Sequence, residues 1–268
     1  SEVPFHGRTT EKLLLGSLVG GLEAGVGGAV RIVGGAGSGK TRLIDEALRG
    51  CELRIARASA VEAEQGRPFA TVTEALDVPT SYQAASSTSD GVWMAVDHLV
   101  GAAEARAAAA PFVLVLDDLQ WSDRTTWLTA AALARRAPAA GFLLITSHRP
   151  LPAREVPHVP LTALGKCIEL VPLAPEDARA IATSVLGTSL PTEGVELVER
   201  AAGNPFLTIE VARWMVEDPA GAGSLGGVDA AELPDLMVAS IMNRVGTLDP
   251  TATDVLRAAA ILGRPTHL

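Results

Sequence analysis

The sequence predicts an α/β domain with a largely parallel sheet, followed by a smaller helical region. Five apolar runs support the sheet, because they are nearly continuous rather than alternating, as is typical of parallel strands covered on both faces. Helical patterns separate these runs, and alternating strands and helices imply right-handed crossover connections. The strand signal stops at about residue 174, and only helices are predicted beyond it.

The predicted elements follow in order along the chain. A β-branched run at residues 29–33 precedes a glycine cluster and then a helix at 40–50, whose apolar residues recur at helical spacing. The other strands are predicted at residues 51–58, 111–118, 141–147 and 167–173. The other helices are predicted at residues 92–109, 125–136, 175–187 and 249–263, the last two with Pro in the first turn and Gly at the end. Residues 78–91 and 217–233 are predicted loops.

Composition argues against several classes of protein. The chain has 268 residues, 48% of them hydrophobic, and a formal net charge of −9. This acidity argues against a surface for nucleic acid or membrane, because such surfaces usually carry clustered Lys and Arg. Arg135 and Arg136 interrupt the longest apolar run, so none reaches the ~18 uncharged residues of a membrane span. Cys51 and Cys167 have no metal-binding spacing and are interpreted as two buried thiols of a reducing cytoplasm.

The stretch GGAGSGKT, residues 34–41, matches GxxxxGK[ST] and lies between a predicted strand and a predicted helix. Glycines let backbone N–H groups converge on phosphate oxygens, and the following helix adds the positive end of its dipole. Lys40 is expected to reach the β and γ phosphates, and the Thr41 hydroxyl to bind Mg²⁺. The alternative is a glycine-rich turn without a ligand. The residues predicted to contact a nucleotide here are Gly35, Ala36, Gly37, Ser38, Gly39, Lys40, Thr41 and Arg42.

Two adjacent aspartates end the third predicted strand. Parallel sheets bind ligands at the carboxyl ends of their strands, so Asp117 is expected to face the same crevice as the glycine loop and to hold Mg²⁺. Asp118 could then orient or deprotonate an attacking water. It is one methylene shorter than the Glu that many ATPases use, which favours slow hydrolysis and a switch. The alternative is that the two acids only terminate the strand.

The fourth predicted strand ends in TSHRP, residues 146–150. In a sheet where this strand lies between the first and the third, these side chains emerge near the γ phosphate. Arg149 is a candidate sensor of that phosphate, because a guanidinium can bind its oxygens in a fork. The alternative is a solvated arginine in a turn before Pro150. His148 is expected to be exposed rather than catalytic.

The combination of motifs resembles the nucleotide-binding part of STAND ATPases, particularly the large ATP-binding regulators of the LuxR class. The stretches that carry the resemblance are FHGRTTE (5–11), residues 34–41, LVLDDLQWSD (114–123), TSHRP (146–150), GNPF (203–206) and VLRAAAILG (255–263). The resemblance implies a P-loop core with strand order 5-1-4-3-2, then a helical lid, then a winged-helix segment. We therefore predict a nucleotide-binding α/β domain at residues 1–173, a lid at 174–232 and the start of a truncated winged helix at 233–268.

The resemblance also implies roles that spacing alone does not supply. Gly7 and Arg8 look like the segment that packs along adenine and ribose, and Pro205 looks like a lid residue that touches the nucleotide. Locally, Asn204 and Pro205 could equally begin a helix. Trp121 and Asp123 follow the family pattern without an evident chemical role. DNA binding is implied only through a C-terminal domain of a longer parent protein.

Two functions compete at this point. The first is a regulatory switch in the cytoplasm, in which ATP or ADP with Mg²⁺ controls conformation and self-association or contact with partner domains. The second is an active motor or initiator-like ATPase, which requires efficient hydrolysis and an arginine finger. Arg135, Arg136 and Arg179 are candidate fingers among which the sequence does not choose. We expect a weak ATPase that hydrolyses the β–γ phosphate bond, because the short Asp118 favours the switch.

Overall fold

The structure is a computed structural model that describes residues 3–78, 88–151, 159–217, 253–256 and 258. The chain divides into two units. The described residues within 10–36 and 40–170 form the sheet unit, and those within 1–9, 37–39 and 171–268 form the helical unit. Each unit is built from elements that the sequence pattern largely indicates.

The sheet has five parallel strands in the order β2-β3-β4-β1-β5. This order is the predicted 5-1-4-3-2 arrangement read from the other edge, so the predicted fold class is confirmed. The strands are β1 (Gly28–Val33), β2 (Arg54–Ser59), β3 (Phe112–Asp117), β4 (Phe142–His148) and β5 (Lys166–Glu169). Among the described residues up to 217, the α-helices are α1 (Thr9–Glu23), α2 (Lys40–Ala47), α3 (Ala70–Leu76), α4 (Ser89–Ala109), α5 (Arg124–Ala140), α6 (Pro175–Leu186), α7 (Thr192–Arg200) and α8 (Pro205–Glu217).

The strands β3 and β4 form the middle of the core. Every residue of both strands is buried, which explains why their sequences are almost continuously apolar. The rings of Phe112 and Phe142 stack with their centroids 5.5 Å apart where the two strands begin. Side chains of α3, α4 and α5 complete this core. The carboxyl ends of both strands are therefore held firmly in place.

Several element predictions need correction. The sequence pattern missed α1, which contains Gly16, Gly20 and Gly21 but buries Leu15, Val19 and Leu22 on one face. The helix α5 continues past the predicted end at residue 136 and includes Pro138, whose missing N–H removes one backbone hydrogen bond shortly before Gly141 ends the helix. The strand β5 is shorter than predicted. The expectation of two buried thiols is wrong, because Cys167 on this edge strand is exposed and Cys51 is only partly buried.

The helical unit has its own small core, formed where α6, α7 and α8 pack together. Its buried members are Ala178, Ala182, Leu197, Val198, Val211, Ala212 and Met215. The sequence predicted α6 closely, whereas α7 was missed. Most of the predicted loops at 78–91 and 217–233 and of the predicted helix at 249–263 lies outside the described residues. Among the helices that are described, none combines the length and apolarity needed to cross a membrane.

Candidate functional site

The loop between β1 and α2 leads directly to Lys40, the first residue of α2. Gly37 and Gly39 have φ angles of +71° and +88°, a region that residues with a Cβ rarely adopt. Lys40 is buried, and its Nζ donates to the carbonyl oxygens of Gly34 and Gly35 at 3.0 and 3.1 Å. The loop therefore wraps around its own lysine.

Burial lowers the pKa of Lys40, and the positive charge of Arg149 adds to this effect. Asp118 and Asp117 act in the opposite direction and raise the pKa. The four charged groups are thus close enough to influence one another. The predicted catalytic residues Lys40, Asp118 and Arg149 and the predicted metal ligand Asp117 meet in one electrostatic neighbourhood of the sheet unit.

Asp117 is the best-connected acid of this neighbourhood, and only 1% of its surface is exposed. Its Oδ2 accepts hydrogen bonds from Thr41 Oγ1 at 3.0 Å and from Arg57 Nη2 at 2.8 Å. Its Oδ1 accepts from the Ser147 hydroxyl and from the backbone N–H of Asp118 at 3.1 Å. The two residues predicted to bind Mg²⁺, Thr41 and Asp117, are therefore in direct contact.

The register of the sheet explains this convergence. Arg57 on β2 pairs with Val115 on β3, so Asp117, two residues further along, lies on the same face of the sheet. Leu116 pairs with Thr146 on β4, which brings Ser147 beside Asp117 at the next position. Three neighbouring strands thus deliver one carboxylate, one guanidinium and one hydroxyl to the same end of the sheet.

Asp118 lies at the turn that follows β3 and has a left-handed backbone with φ of +54°. Its N–H donates to Ser147 Oγ at 3.0 Å, and its Oδ1 accepts from Gln120 Nε2 at 2.9 Å. The same glutamine accepts a hydrogen bond from the backbone N–H of Arg149 at 3.0 Å. Gln120 therefore connects the second acid of β3 to the end of β4, a role that the sequence did not reveal.

The motif residues Trp121 and Asp123 now have physical roles. The guanidinium of Arg149, which is exposed, lies over the Trp121 ring at 5.4 Å from its centroid. Asp123 caps α5, accepting hydrogen bonds from the N–H groups of Thr125 and Thr126. It also accepts from the N–H of Phe69 at 3.2 Å, which ties the start of α3 to α5. Asp123 is thus a structural residue.

His148 is 1% exposed, so the expectation of an exposed side chain is wrong. Its Nδ1 lies 2.7 Å from the Arg149 carbonyl oxygen, and its ring meets Trp127 edge-on with centroids 5.3 Å apart. Because β4 is covered on both faces, an imidazole at its last position is buried too. Burial lowers the pKa of His148 and favours the neutral ring.

Two predicted nucleotide contacts lie near the amino terminus of the helical unit. Gly7 has φ of +69°, and a Cβ at this position would lie 2.6 Å from Asp177 Oδ2 at the start of α6. Arg8 follows with φ of +57°, which is uncommon for a residue with a side chain. The FHGR segment is therefore fitted closely against α6. Its predicted contact with adenine and ribose stays a prediction.

Residues 37–39 of the glycine-rich loop and the start of α8 also belong to the helical unit. Asn204 Oδ1 accepts from the N–H of Phe206 at 3.0 Å, so Asn204 caps a helix whose first residue is Pro205. The N–H of Phe206 also donates to the carbonyl of Gly37 at 3.2 Å. A Cβ on Gly39 would lie 3.9 Å from Pro205 Cγ. Pro205 thus begins a helix and lies beside the glycine loop.

The predicted site residues divide between the two units. Lys40, Thr41, Asp117, Asp118 and Arg149 are brought together in the sheet unit. Gly35, Ala36 and Arg42 belong to the same unit. The predicted contacts Gly7, Arg8, Gly37, Ser38, Gly39 and Pro205 belong to the helical unit. Among the described residues, no three or more His, Cys, Asp or Glu side chains cluster to form a protein-only metal site.

A parallel sheet of this order, with a glycine-rich loop between β1 and α2, defines a P-loop ATPase of the AAA+ class. The chain belongs to the AAA ATPase domain family, whose model matches residues 4–145, more than half of its length. No curated protein matches the sequence significantly.

Solved structures show the same fold at low sequence identity. The structure of Drosophila ORC bound to DNA has a TM-score of 0.56 and 16% identity, covering 98% of this chain and 70% of its own. The replication initiator DnaA bound to AMPPCP and single-stranded DNA has a TM-score of 0.55 and 14% identity, covering 97% and 79%. Domain III of Thermotoga maritima DnaA has a TM-score of 0.52 and 15% identity, covering 89% and 94%. At these identities the likeness is one of fold.

Proposed function

We propose that this chain is an ATP- or ADP-binding switch module of a LuxR-type transcriptional regulator, with slow Mg²⁺-dependent hydrolysis that controls conformation and self-association. The observation that carries the proposal is the hydrogen bond between Thr41 Oγ1 and Asp117 Oδ2, 3.0 Å long, beside Lys40. A hydroxyl and a carboxylate in contact, next to a lysine in a glycine loop, are the groups that a phosphate-bound Mg²⁺ requires.

The residues of the loop fit a phosphate. Ser38 Oγ is buried and has no hydrogen-bond partner in the part of the chain that the structure describes, so a ligand oxygen would satisfy it. Lys40 uses two of its three donors on loop carbonyls, and the third is available to a phosphate oxygen. Thr41 and Asp117 would hold Mg²⁺, and the bound cation would neutralise negative charge on the phosphates.

Slow hydrolysis follows from the constraints on Asp118. Its carboxylate is engaged by Gln120, which is in turn held by the backbone of Arg149. An acid that is both short and tied to β4 positions an attacking water poorly, and positioning supplies much of the rate in phosphoryl transfer. A nucleotide would consequently persist long enough to act as a signal.

Arg149 is the proposed reporter of the γ phosphate. In this structure its guanidinium lies over Trp121, a contact worth about 0.5–1 kcal/mol at an exposed site. A triphosphate near Lys40 would compete for the guanidinium with a charge-assisted pair, which is stronger than such a contact. ATP would therefore move the end of β4, whereas ADP, which has no γ phosphate, would not. A switch needs a contact that differs in this way between its two ligands.

The regulatory context extends the proposal. We assign residues 1–173 to nucleotide binding, 174–232 to a lid and 233–268 to the start of a winged helix, in a protein that acts in the cytoplasm. Any DNA contact would belong to a C-terminal domain of a longer parent, consistent with a formal net charge of −9 here.

Nucleotide identity and turnover after purification test this function. A switch retains ADP tightly and turns over ATP well below the ~1–10³ s⁻¹ usual for enzymes. Rapid multiple turnover would contradict the switch and favour the motor or initiator-like ATPase. Preparations that neither retain nor bind an adenine nucleotide would contradict both.

A further inference from the structure

Arg57 forms an ion pair with Asp117 that no P-loop motif requires. Its Nη2 lies 2.8 Å from Asp117 Oδ2, the same oxygen that accepts from Thr41 Oγ1. We propose that Arg57 is a built-in counter-cation of Asp117, which competes with the divalent cation for this carboxylate and so sets the affinity of the site for the metal. This inference rests on the proposed function, because it concerns the cation of the same nucleotide site.

The charge balance of the site supports this role. The Asp117 side chain is 2% exposed, and a buried carboxylate is costly unless it is paired and hydrogen-bonded. Lys40 donates to the carbonyls of Gly34 and Gly35, so Arg57 supplies the direct ion pair to the acid. The guanidinium thus gives Asp117 the positive partner that a bound cation would otherwise provide.

The surroundings of Arg57 allow it to leave. Its side chain is 31% exposed, and its Nη1 is paired with Asp45 of α2, which is 50% exposed. When a cation takes Asp117, the guanidinium can therefore keep the pair with Asp45. Arg57 also borders an open groove at the edge of the sheet, lined in addition by Arg54, Ile55, Ala56, Ala75, Arg106 and Phe112. The Arg57 side chain next to Asp117 and the same side chain turned towards the groove would differ chiefly in the ion pair with Asp117.

Competition of this kind lowers the apparent affinity for the cation. A ligand that binds only the fraction of molecules with a free Asp117 has an affinity reduced by that fraction. The competition affects the metal and not the nucleotide, because the nucleotide is bound by Lys40 and the loop. Removal of the competing charge should tighten the cation and destabilise the metal-free protein.

The test compares Arg57→Met with Arg54→Met in the whole 268-residue chain. Arg54 is exposed on the same strand and pairs with Phe112, at the other end of the strand pair from Asp117. Its loss therefore gives the same change in net charge away from the acid. Mn²⁺ is titrated into the ADP complex and followed by electron paramagnetic resonance. We expect Arg57→Met to raise the affinity for Mn²⁺ about tenfold and Arg54→Met to change this affinity less than about twofold.

A second measurement compares the thermal stability of the two variants, first without and then with the cation and its nucleotide. In EDTA, Arg57→Met should melt at a lower temperature than Arg54→Met, and saturating Mn²⁺ with ADP should remove the difference. If Arg57→Met does not fold, Arg57→Lys takes its place, with an expected tightening of about threefold because an ammonium lacks the guanidinium fork.

The outcomes separate the inference from the proposed function. Unchanged or weaker Mn²⁺ affinity in the Arg57 variants, with ADP bound normally in EDTA, would overturn the competition and leave the nucleotide site intact. Failure of the unaltered protein to bind ADP, with or without Mn²⁺, would overturn both proposals.

Discussion

Replacement of Ser147 by alanine tests how Asp117 is held. The Ser147 hydroxyl donates to Asp117 Oδ1 and accepts from the N–H of Asp118 at 3.0 Å, and the residue is fully buried. A hydrogen bond to a charged group contributes about 1.5–3 kcal/mol, so we expect the free energy of unfolding to fall by about 2 kcal/mol. For a protein of this size, that loss corresponds to a decrease in Tm of about 4–8 °C.

The assay is urea unfolding of the metal-free protein, followed by tryptophan fluorescence, because Trp93, Trp121 and Trp127 lie in the sheet unit. Ser122→Ala is the matched control. The Ser122 hydroxyl donates only to the carbonyl of Leu119, at 2.8 Å, so its loss should cost about 1 kcal/mol or less. If Ser147→Ala lowers the free energy of unfolding no more than Ser122→Ala does, the Ser147 hydroxyl does not fix the position of Asp117. The proposed role of β4 in the geometry of the cation site would then be wrong.

Three further predictions concern hydrolysis, pH and backbone strain. Asp118→Asn should bind ATP as the unaltered protein does but lose residual hydrolysis in a phosphate-release assay, and unchanged turnover would exclude Asp118 from the chemistry. Burial, reinforced by the charges of Arg31 and Lys40, lowers the pKa of His148 from its ordinary value of 6.5. Below about pH 6.5 the imidazole takes up a proton on unfolding, so the free energy of unfolding should fall as the pH falls. The decrease should be less steep in His148→Asn. An equal dependence of stability on pH in the two proteins would contradict a buried neutral imidazole. Gly203 has φ of +69°, and a Cβ there would lie 2.5 Å from the Leu173 carbonyl oxygen, so Gly203→Ala should lower the free energy of unfolding by more than about 2 kcal/mol. Gly101 lies within α4, and a Cβ there would have no heavy atom within 4 Å, so Gly101→Ala should raise the free energy of unfolding by up to about 1 kcal/mol. Similar effects of the two substitutions would contradict the proposed backbone strain at Gly203.

The central strands were predictable because their environment is simple. Strands β3 and β4 are buried along their whole length, so burial alone dictates apolar residues and the bounds are almost those of the apolar runs. The edge strand β2 has one buried residue, Ala58, among exposed and half-buried ones, and it begins three residues later than predicted. Helix α1 was missed because its glycines oppose helix formation locally, whereas burial of one apolar face within the sheet unit stabilises it.

The same reasoning applies to the candidate site. Lys40, Thr41 and Asp117 lie in motifs whose spacing follows from the chemistry of a phosphate, so the sequence indicated them. Arg57 contacts Asp117 across 60 residues of sequence, and only the pairing of β2 with β3 brings them together. A charged residue near the end of a strand predicted to neighbour β3 was the available signal. The burial of His148 likewise depends on tertiary packing that a single strand pattern does not reveal.

The central claim is that a nucleotide and its cation are bound by Lys40, Thr41 and Asp117. Isothermal titration calorimetry with ADP or ATP in the presence of Mg²⁺ tests it most directly, with Lys40→Ala as the comparison and circular dichroism to show that both proteins are folded. We predict a heat of binding for the unaltered protein and little or none for Lys40→Ala, because the loop then lacks its cation for the phosphates. A folded protein that gives no heat with either nucleotide, or a Lys40→Ala variant that binds equally well, would contradict the account.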